Sequence, residues 1–269
     1  MHATRLLSSF LILGAVGAAP GPAADDSPAA SQESLQEQVE ALRQEHEQIR
    51  RQLDQILARL DGAPREVPED PSIGRTLDVG DAPSLGTAGA TVTLVELADY
   101  QCPYCARHHR QTFPLLKERF VDPGTVRYVI LDYPLDMHPQ AEPAARAAHC
   151  AREQDAYWEM HHLLFERSGE LAEIDLASLA SELGLDAGTF RECLDAGRHA
   201  ALVAAHLGLG QAAGVEGTPT FLLGATAPGS TVLTIESIIR GAHGFDRFAK
   251  EIDALVPKLP APTGQPVSQ

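Results

Sequence analysis

The sequence predicts an α/β domain preceded by a long amphipathic helix. Two observations predict the domain: a strand pattern at 91–98 leads through a Cys-X-X-Cys motif into a helical pattern, and a proline directly precedes an apolar strand pattern near 220. A third observation, apolar residues at heptad spacing over 34–61, predicts the helix. With 44% hydrophobic and 22% charged residues, the composition is that of a globular protein.

The charge balance narrows the choice of partners. The chain has 21 Lys and Arg against 37 Asp and Glu, a net charge of −16. Proteins that hold nucleic-acid phosphates need the opposite sign. We therefore expect no nucleic-acid partner, and no motif in the chain calls for a cofactor.

The N-terminal segment has the pattern of a secretory signal peptide over residues 1–24. Arg5 is followed by a 14-residue apolar run that ends in small residues. The alternative, an uncleaved membrane anchor, has against it that a spanning helix needs about 20 apolar residues. We expect the mature protein to be soluble and periplasmic, or otherwise extracytoplasmic, where disulfides persist.

Residues 34–61 predict a coiled coil. Ser34 and Glu37 form a capping-box pattern at the start, while Gly62 and Pro64 mark the end. Leu at a and Ile at d in the second half favour a homo-oligomer of three or four strands. The alternative is a helix that packs on its own domain or stands in solvent. The seam contains Leu35, Val39, Leu42, His46, Ile49, Leu53, Ile56 and Leu60. Residues 62–76 are expected to be a linker.

The segment around Cys102 and Cys105 predicts a redox centre. A strand at 91–98 precedes it, and a helix over 106–120 and a strand at 126–131 follow. Cys102 would occupy a helix N-terminus, where free backbone amides and the helix dipole stabilise a thiolate. We expect Cys102 to be the nucleophile and Cys105 to resolve the mixed disulfide. Pro103, between them, suits the first turn because its missing N–H would have no partner there.

The same cysteines could be half of a zinc site, which leaves a metal-binding alternative open. His108 and His109 would then supply the remaining ligands. Histidines on a helix just beyond such a motif more often belong to a solvated face, and the sequence therefore predicts no metal site.

The rest of the chain predicts further helices and strands. Helical patterns occupy much of 139–207, strand patterns follow near 218–223 and 231–235, and a last helix covers 245–256. Residues 258–269 are proline-rich and are expected to form a flexible tail. The helical patterns of the middle region cover 141–153, 157–165, 176–183 and 189–206.

Two runs carry a resemblance to a known family: Val-Glu-Leu-Ala-Asp-Tyr-Gln-Cys-Pro-Tyr-Cys at 95–105 and Val-Glu-Gly-Thr-Pro-Thr-Phe at 215–221. They resemble the bacterial extracytoplasmic thiol–disulfide oxidoreductases with a DsbA-like thioredoxin fold. The resemblance covers about 77–257 and implies a thioredoxin fold whose helical insertion lies at about 139–207.

The resemblance also implies roles for individual residues. Pro219 would be cis and would flank Cys102, and the backbone of Thr218 would hold a substrate strand. Glu96 matches the family's buried acid that exchanges protons with the resolving thiol. The alternative for Glu96 is an exposed carboxylate at a strand end.

Cys150 and Cys193 remain when the redox pair is set aside. In an oxidising compartment an even number of remaining cysteines favours a structural disulfide between them. The alternative is two buried free thiols.

The resemblance implies an enzyme that acts on unfolded or wrongly disulfide-bonded secreted proteins and has a membrane redox partner. Pro103, Tyr104 and Thr218 resemble the isomerase and copper-stress branches, whose members are oligomers built through N-terminal segments. We therefore expect an oligomeric isomerase or reductase. The alternatives are a disulfide-donating oxidase, a copper- or zinc-binding protein without catalysis, and a coiled-coil scaffold with an inactive cysteine pair.

Overall fold

The computed structural model describes residues 28–61 and 70–258, and within them the side chains of 35–56 and 70–257. The predicted signal peptide at 1–24, most of the predicted linker and nearly all of the predicted tail lie outside these residues. The chain divides into two units, 1–67 and 68–269, which are described separately.

The described part of the first unit is a helix, α1 (Pro28–Asp61), of 34 residues. It begins earlier than the predicted capping box at Ser34. Proline is favoured in a first helical turn and alanine is the best helix former, so the Pro-Ala-Ala sequence at 28–30 supports the earlier start. The apolar seam is solvent-exposed along the helix: Leu35, Val39, Leu42, Ile49, Leu53 and Ile56 are each 40–64% exposed.

The second unit contains a mixed six-stranded sheet. Its strands are β1 (Thr76–Asp78), β2 (Ser84–Leu85), β3 (Val92–Ala98), β4 (Val126–Asp132), β5 (Thr220–Thr226) and β6 (Val232–Arg240), in the order β1-β6-β5-β3-β4-β2. The central strand β3 is parallel to β4 and antiparallel to β5. Every residue of β3 is buried, as expected for a strand covered on both faces.

Helices cover both faces of this sheet. They are α2 (Pro103–Gln111), α3 (Phe113–Leu116), α4 (Ala141–Arg152), α5 (Tyr157–Glu166), α6 (Leu176–Glu182), α7 (Ala187–Asp195), α8 (Ala200–Ala212) and α9 (Phe245–Leu255). One core cluster joins Leu94 of β3 to α2–α7 and α9. The other joins Val95 and Leu97 to β1 and to the end of α8. The predicted α/β fold with a helical insertion between β4 and β5 is confirmed. In the described ranges, no helix is both long and apolar enough to cross a membrane.

Three local predictions were wrong. The helix predicted over 106–120 is three successive helical segments, because Pro114 interrupts the hydrogen-bond ladder: α2 ends at Gln111, α3 contains Pro114, and a π-helical turn (Lys117–Val121) follows. The helix predicted over 189–206 is two helices, α7 and α8, separated at Gly197, whose φ is 63°. The end of the predicted linker is part of the fold, since the buried Ser72 donates a 2.6 Å hydrogen bond to the carbonyl of Ala213.

Cys150 in α4 and Cys193 in α7 form a disulfide across 43 residues of sequence. Both residues are 1% exposed. The bond ties two helices of the insertion together, and its burial keeps it away from solvent thiols.

Replacing both Cys150 and Cys193 by Ala should lower the free energy of unfolding by roughly 4 kcal/mol, because the disulfide closes a 43-residue loop in the unfolded chain. Urea unfolding followed by circular dichroism measures the loss. The matched control is Cys102→Ser with Cys105→Ser, which removes two other cysteines and keeps this disulfide. A loss below about 1 kcal/mol would contradict the stabilising role.

Candidate active site

Cys102 is the N-cap residue of α2, and Pro103 follows in the first turn. The turn before the helix is held by Asp99, whose Oδ1 accepts hydrogen bonds from the backbone N–H of Gln101 at 2.7 Å and of Cys102 at 3.1 Å. Cys105 lies one turn into the helix and is fully buried. The sequence therefore places one thiol at the helix end and encloses the other.

A second loop completes the surroundings of Cys102. The Thr218–Pro219 peptide bond is cis and immediately precedes β5. Because β5 pairs with β3, this loop lies beside the end of β3 that leads to Cys102. The Cys102 thiol donates a 3.5 Å hydrogen bond to the carbonyl of Thr218, which lies 116 residues away in sequence.

The pKa of the Cys102 thiol is lowered to about 5. The main cause is a hydrogen bond with the Cys105 side chain, and the nearby Thr218 side chain and the backbone N–H groups of Cys105 and Tyr104 add to it. Burial opposes the shift. Cys102 is thus a thiolate at neutral pH, the form that attacks disulfides.

The pKa of the Cys105 thiol is raised well above its usual value. Burial is the main cause, and the hydrogen bond with Cys102 and the nearby Glu96 carboxylate contribute. Cys105 must therefore lose its proton to a nearby acceptor before it can react.

Glu96 lies in the middle of β3 and is fully buried, so the alternative of an exposed strand-end carboxylate is wrong. Burial raises its pKa to about 7, while a hydrogen bond donated by the Tyr128 hydroxyl to Oε2 opposes the shift. Oε1 has no hydrogen-bond partner among the residues that the structure describes. A carboxyl with a free oxygen and a pKa near neutrality suits proton exchange.

His108 is buried rather than solvated, which corrects the sequence expectation. Its ring packs against Phe221 and Phe248, with centroids 4.5 Å and 5.3 Å away. Burial lowers its pKa to about 3, so the ring is neutral. Its Nε2 lies 3.2 Å from the Tyr128 hydroxyl, which donates to Glu96. His108 therefore positions the Tyr128 hydroxyl, which hydrogen-bonds to Glu96.

The sequence did not reveal the structural role of Asp99 and His138. Besides capping the turn, Asp99 accepts through Oδ2 from the backbone N–H of Leu135 at 3.0 Å and lies 2.7 Å from Nδ1 of His138. This carboxylate joins the loop after β4 to the turn before Cys102. An Asp three residues before the first cysteine was the only sequence signal.

Among the described residues, three clusters of side chains away from the redox pair have the composition of metal ligands, and in one of them, with His199, the sulfurs of Cys150 and Cys193 are bonded to each other. Two clusters remain. One contains His109, His161 and His162, and the other contains Asp132, His149 and His206. In the second, both histidines lie within 2.8 Å of the same oxygen of Asp132, an arrangement that a buried hydrogen-bonded triad explains by itself. His109, like His108, is largely withdrawn from solvent, which also departs from the sequence expectation.

A family model described as "Thioredoxin" matches residues 78–239 of the chain. The chain belongs to the thioredoxin family. The crystal structure of α-DsbA1 from Wolbachia pipientis is similar to it, with a TM-score of 0.59 and 25% identity over 68% of this chain and 94% of that one. The predicted family resemblance is confirmed.

Two curated relatives match this thioredoxin-family chain over about half of its length. Na(+)/H(+) antiporter NhaA 3 of Salinispora tropica is 45% identical over 139 residues, 51% of this chain and 21% of the antiporter. Disulfide bond formation protein D of Bacillus subtilis is 28% identical over 149 residues, 51% of this chain and 65% of that protein. The chain thus spans about a fifth of the antiporter and less than two thirds of the second relative.

Glu96→Gln should change how stability depends on pH. In the unfolded chain Glu96 loses its proton near pH 4.5, whereas in the folded protein it keeps the proton up to about pH 7. The ionisation of Glu96 therefore costs the native protein roughly 3 kcal/mol of stability as pH rises through this window, and the Gln variant lacks this cost. The lowered pKa of Cys102 acts in the opposite direction in both proteins, so the difference between parent and variant reports on Glu96.

Urea unfolding of the reduced proteins at pH 5 and pH 8 measures this difference. Glu118→Gln, at an exposed glutamate, is the matched control and should behave as the parent protein. Equal pH dependence in the Glu96→Gln variant and the parent would show that Glu96 is ionised in the folded protein throughout the window.

Proposed function

We propose that this protein exchanges thiols and disulfides with other proteins through Cys102 and Cys105. The observation that carries the proposal is the contrast between the two thiols, an acidic one at a helix N-terminus and a buried one with a raised pKa. Thiol–disulfide exchange needs one sulfur that attacks a disulfide readily and is also a good leaving group. The second sulfur should react only after the mixed disulfide has formed.

The exchange proceeds in two steps. The Cys102 thiolate attacks one sulfur of a substrate disulfide, which forms a mixed disulfide and releases a substrate thiolate. Cys105 then loses its proton and attacks the Cys102 sulfur, which releases the second substrate thiolate. The substrate is reduced and the Cys102–Cys105 pair is oxidised. The reverse sequence oxidises a substrate dithiol.

Glu96 is proposed as the group that exchanges the proton with Cys105. It interacts with Cys105 through its charge, its pKa of about 7 matches neutral conditions, and Oε1 has no hydrogen-bond partner in the described ranges. Tyr128 fixes the other oxygen. The carboxyl can therefore accept the thiol proton in one direction and return it in the other.

The substrate is proposed to bind beside Thr218 and Pro219. The Thr218 backbone is within hydrogen-bond reach of the Cys102 sulfur, so an extended peptide paired with that backbone would bring its own sulfur close to Cys102. Tyr104, 56% exposed between the two cysteines, offers an apolar contact. Unfolded or wrongly disulfide-bonded secreted proteins have such extended segments.

The exposed seam of α1 supports an oligomer of this chain as the working form. A stripe of leucine, isoleucine and valine, 40–64% exposed, is costly in water. In parallel copies Glu45 would face Arg50 of a neighbour, which makes a second copy of this chain the fitting occupant. Several active sites around a shared space suit the isomerisation of wrong disulfides, so we propose an oligomeric isomerase or reductase.

A disulfide-donating oxidase is the second candidate. The observation in its favour is the low pKa of Cys102, because stabilising the thiolate stabilises the reduced pair and makes the disulfide more oxidising. The name of the Bacillus subtilis relative, disulfide bond formation protein D, agrees with this direction. Either direction needs a redox partner, for which we propose a membrane protein facing an extracytoplasmic compartment.

The antiporter relatives do not suggest ion transport by this chain. The matched segment is about a fifth of the antiporter. A thioredoxin-family domain with a thiol pair is sufficient to account for the similarity to that part of the antiporter. The proposed function rests on the chemistry of the cysteines.

A Cys105→Ala variant should accumulate mixed disulfides with secreted proteins through Cys102, because the second step is blocked. Non-reducing electrophoresis followed by mass spectrometry of the trapped species measures this. Cys102→Ala is the matched control and should trap nothing. A folded Cys105→Ala variant that traps no protein would point instead to a metal-binding or scaffolding role for the thiols.

Leu42→Glu combined with Leu53→Glu should convert the oligomer to a monomer, because charges would enter the apolar seam. Gln44→Glu with Gln55→Glu adds the same charge outside the seam and should leave assembly unchanged. Light scattering measures the mass, and refolding of a scrambled-disulfide substrate measures isomerase activity. A parent protein that is already monomeric contradicts the assembly, and undiminished isomerase activity in the monomer contradicts its role.

A further inference from the structure

Three histidines from two helices meet at a place that the redox chemistry does not use. His109 comes from α2, and His161 and His162 come from α5, which packs against α2. Ring centroids are 5.1 Å apart for His109 and His161, 4.8 Å for His109 and His162, and 5.7 Å for His161 and His162. One ring nitrogen from each residue lies within 4.8 Å of the other two.

The distances between these ring nitrogens bracket the distance that separates two nitrogens bound to one zinc ion. Nδ1 of His162 lies 2.9 Å from Nε2 of His109, and the remaining separations extend to at most 4.8 Å. Tetrahedral zinc with Zn–N bonds of about 2.0–2.1 Å holds its ligand nitrogens about 3.3 Å apart. The ion would replace the hydrogen bond between the His109 and His162 rings, with the shared proton moving to the other nitrogen of its ring.

His161 has the outer hydrogen bond that metal-binding histidines have. Its Nδ1 lies 2.9 Å from the Tyr100 hydroxyl, and that hydroxyl lies 3.3 Å from the hydroxyl of Tyr157. When Nδ1–H donates to Tyr100 and Tyr100 donates to Tyr157, the lone pair of His161 is on Nε2. Such a partner fixes the tautomer and orients the ring.

The three rings are neutral, the form that binds metals. Burial lowers the pKa of His109 to about 3, that of His161 well below its usual value and that of His162 to a lesser extent. Charged side chains of both signs act on the cluster: Glu159, Glu166 and Asp132 favour a cation, whereas Lys117 and Arg110 oppose it.

We propose that His109, His161 and His162 bind one divalent transition-metal ion of the class that prefers imidazole ligands, with Zn²⁺ as the representative ion. Three protein ligands leave a fourth position for water. The ion would link α2, which begins with the redox pair, to α5 of the helical insertion. This site departs from the sequence expectation of no metal and does not involve the thiols.

The test is calorimetric titration of Zn²⁺ into tag-free protein whose Cys102–Cys105 pair is oxidised, so that the thiols cannot bind the ion. We expect one ion per chain. His162→Ala and His109→Ala should each weaken the affinity about 100-fold or more, and Tyr100→Phe about tenfold through the lost hydrogen bond. His243→Ala, at an exposed histidine elsewhere, is the matched control and should bind as the parent does.

Absence of Zn²⁺ binding to the oxidised parent protein overturns the proposal, as does binding that survives His162→Ala. Binding that appears only after reduction assigns the ion to Cys102 and Cys105 and also overturns it. If His162→Ala does not fold, visible absorption of the oxidised parent protein loaded with Co²⁺ decides: bands of a tetrahedral nitrogen site support the proposal, and the spectrum of octahedral aqueous cobalt refutes it.

Discussion

The contact between the Cys102 sulfur and the Thr218 loop is the constraint on which the active site depends. It brings together a helix N-terminus and the start of β5, which lie 116 residues apart in sequence. Antiparallel pairing of β3 with β5 places the loop, while Asp99 fixes the turn that leads into the helix. The hydrogen bonds that favour the thiolate come from the Cys105 side chain and from the backbone N–H groups of Cys105 and Tyr104 at the helix end, whereas the Thr218 carbonyl and burial favour the thiol.

The sheet interior supplies the proton acceptor that the helix end lacks. Cys105 is enclosed, and its raised pKa would keep it unreactive without a proton acceptor. Glu96 is held in β3 by Tyr128, and His108 lies against Tyr128 from α2. The fold therefore separates two tasks: the helix end stabilises a charge on one sulfur, and the sheet interior holds a carboxyl whose pKa of about 7 lets it exchange the proton of the other.

The sequence predicted the features that depend on local pattern. Continuous apolar runs identified β3 and β4, and the two motifs identified Cys102 and Pro219. It missed features that arise from tertiary packing. His108 was expected in solvent because a helix pattern does not show that Phe221 and Phe248 cover it. The strands β1 and β2, of three and two residues, are too short to show a period.

The central claim is that the fold makes Cys102 an acid, and ultraviolet absorbance of its thiolate as a function of pH tests it most directly. In fully reduced protein we predict that one thiol ionises near pH 5 while Cys105 stays protonated to far higher pH. The Cys102→Ser variant identifies which thiol is responsible and should lose the transition. A Cys102 transition near the free-thiol pKa of about 8.5 would contradict the account.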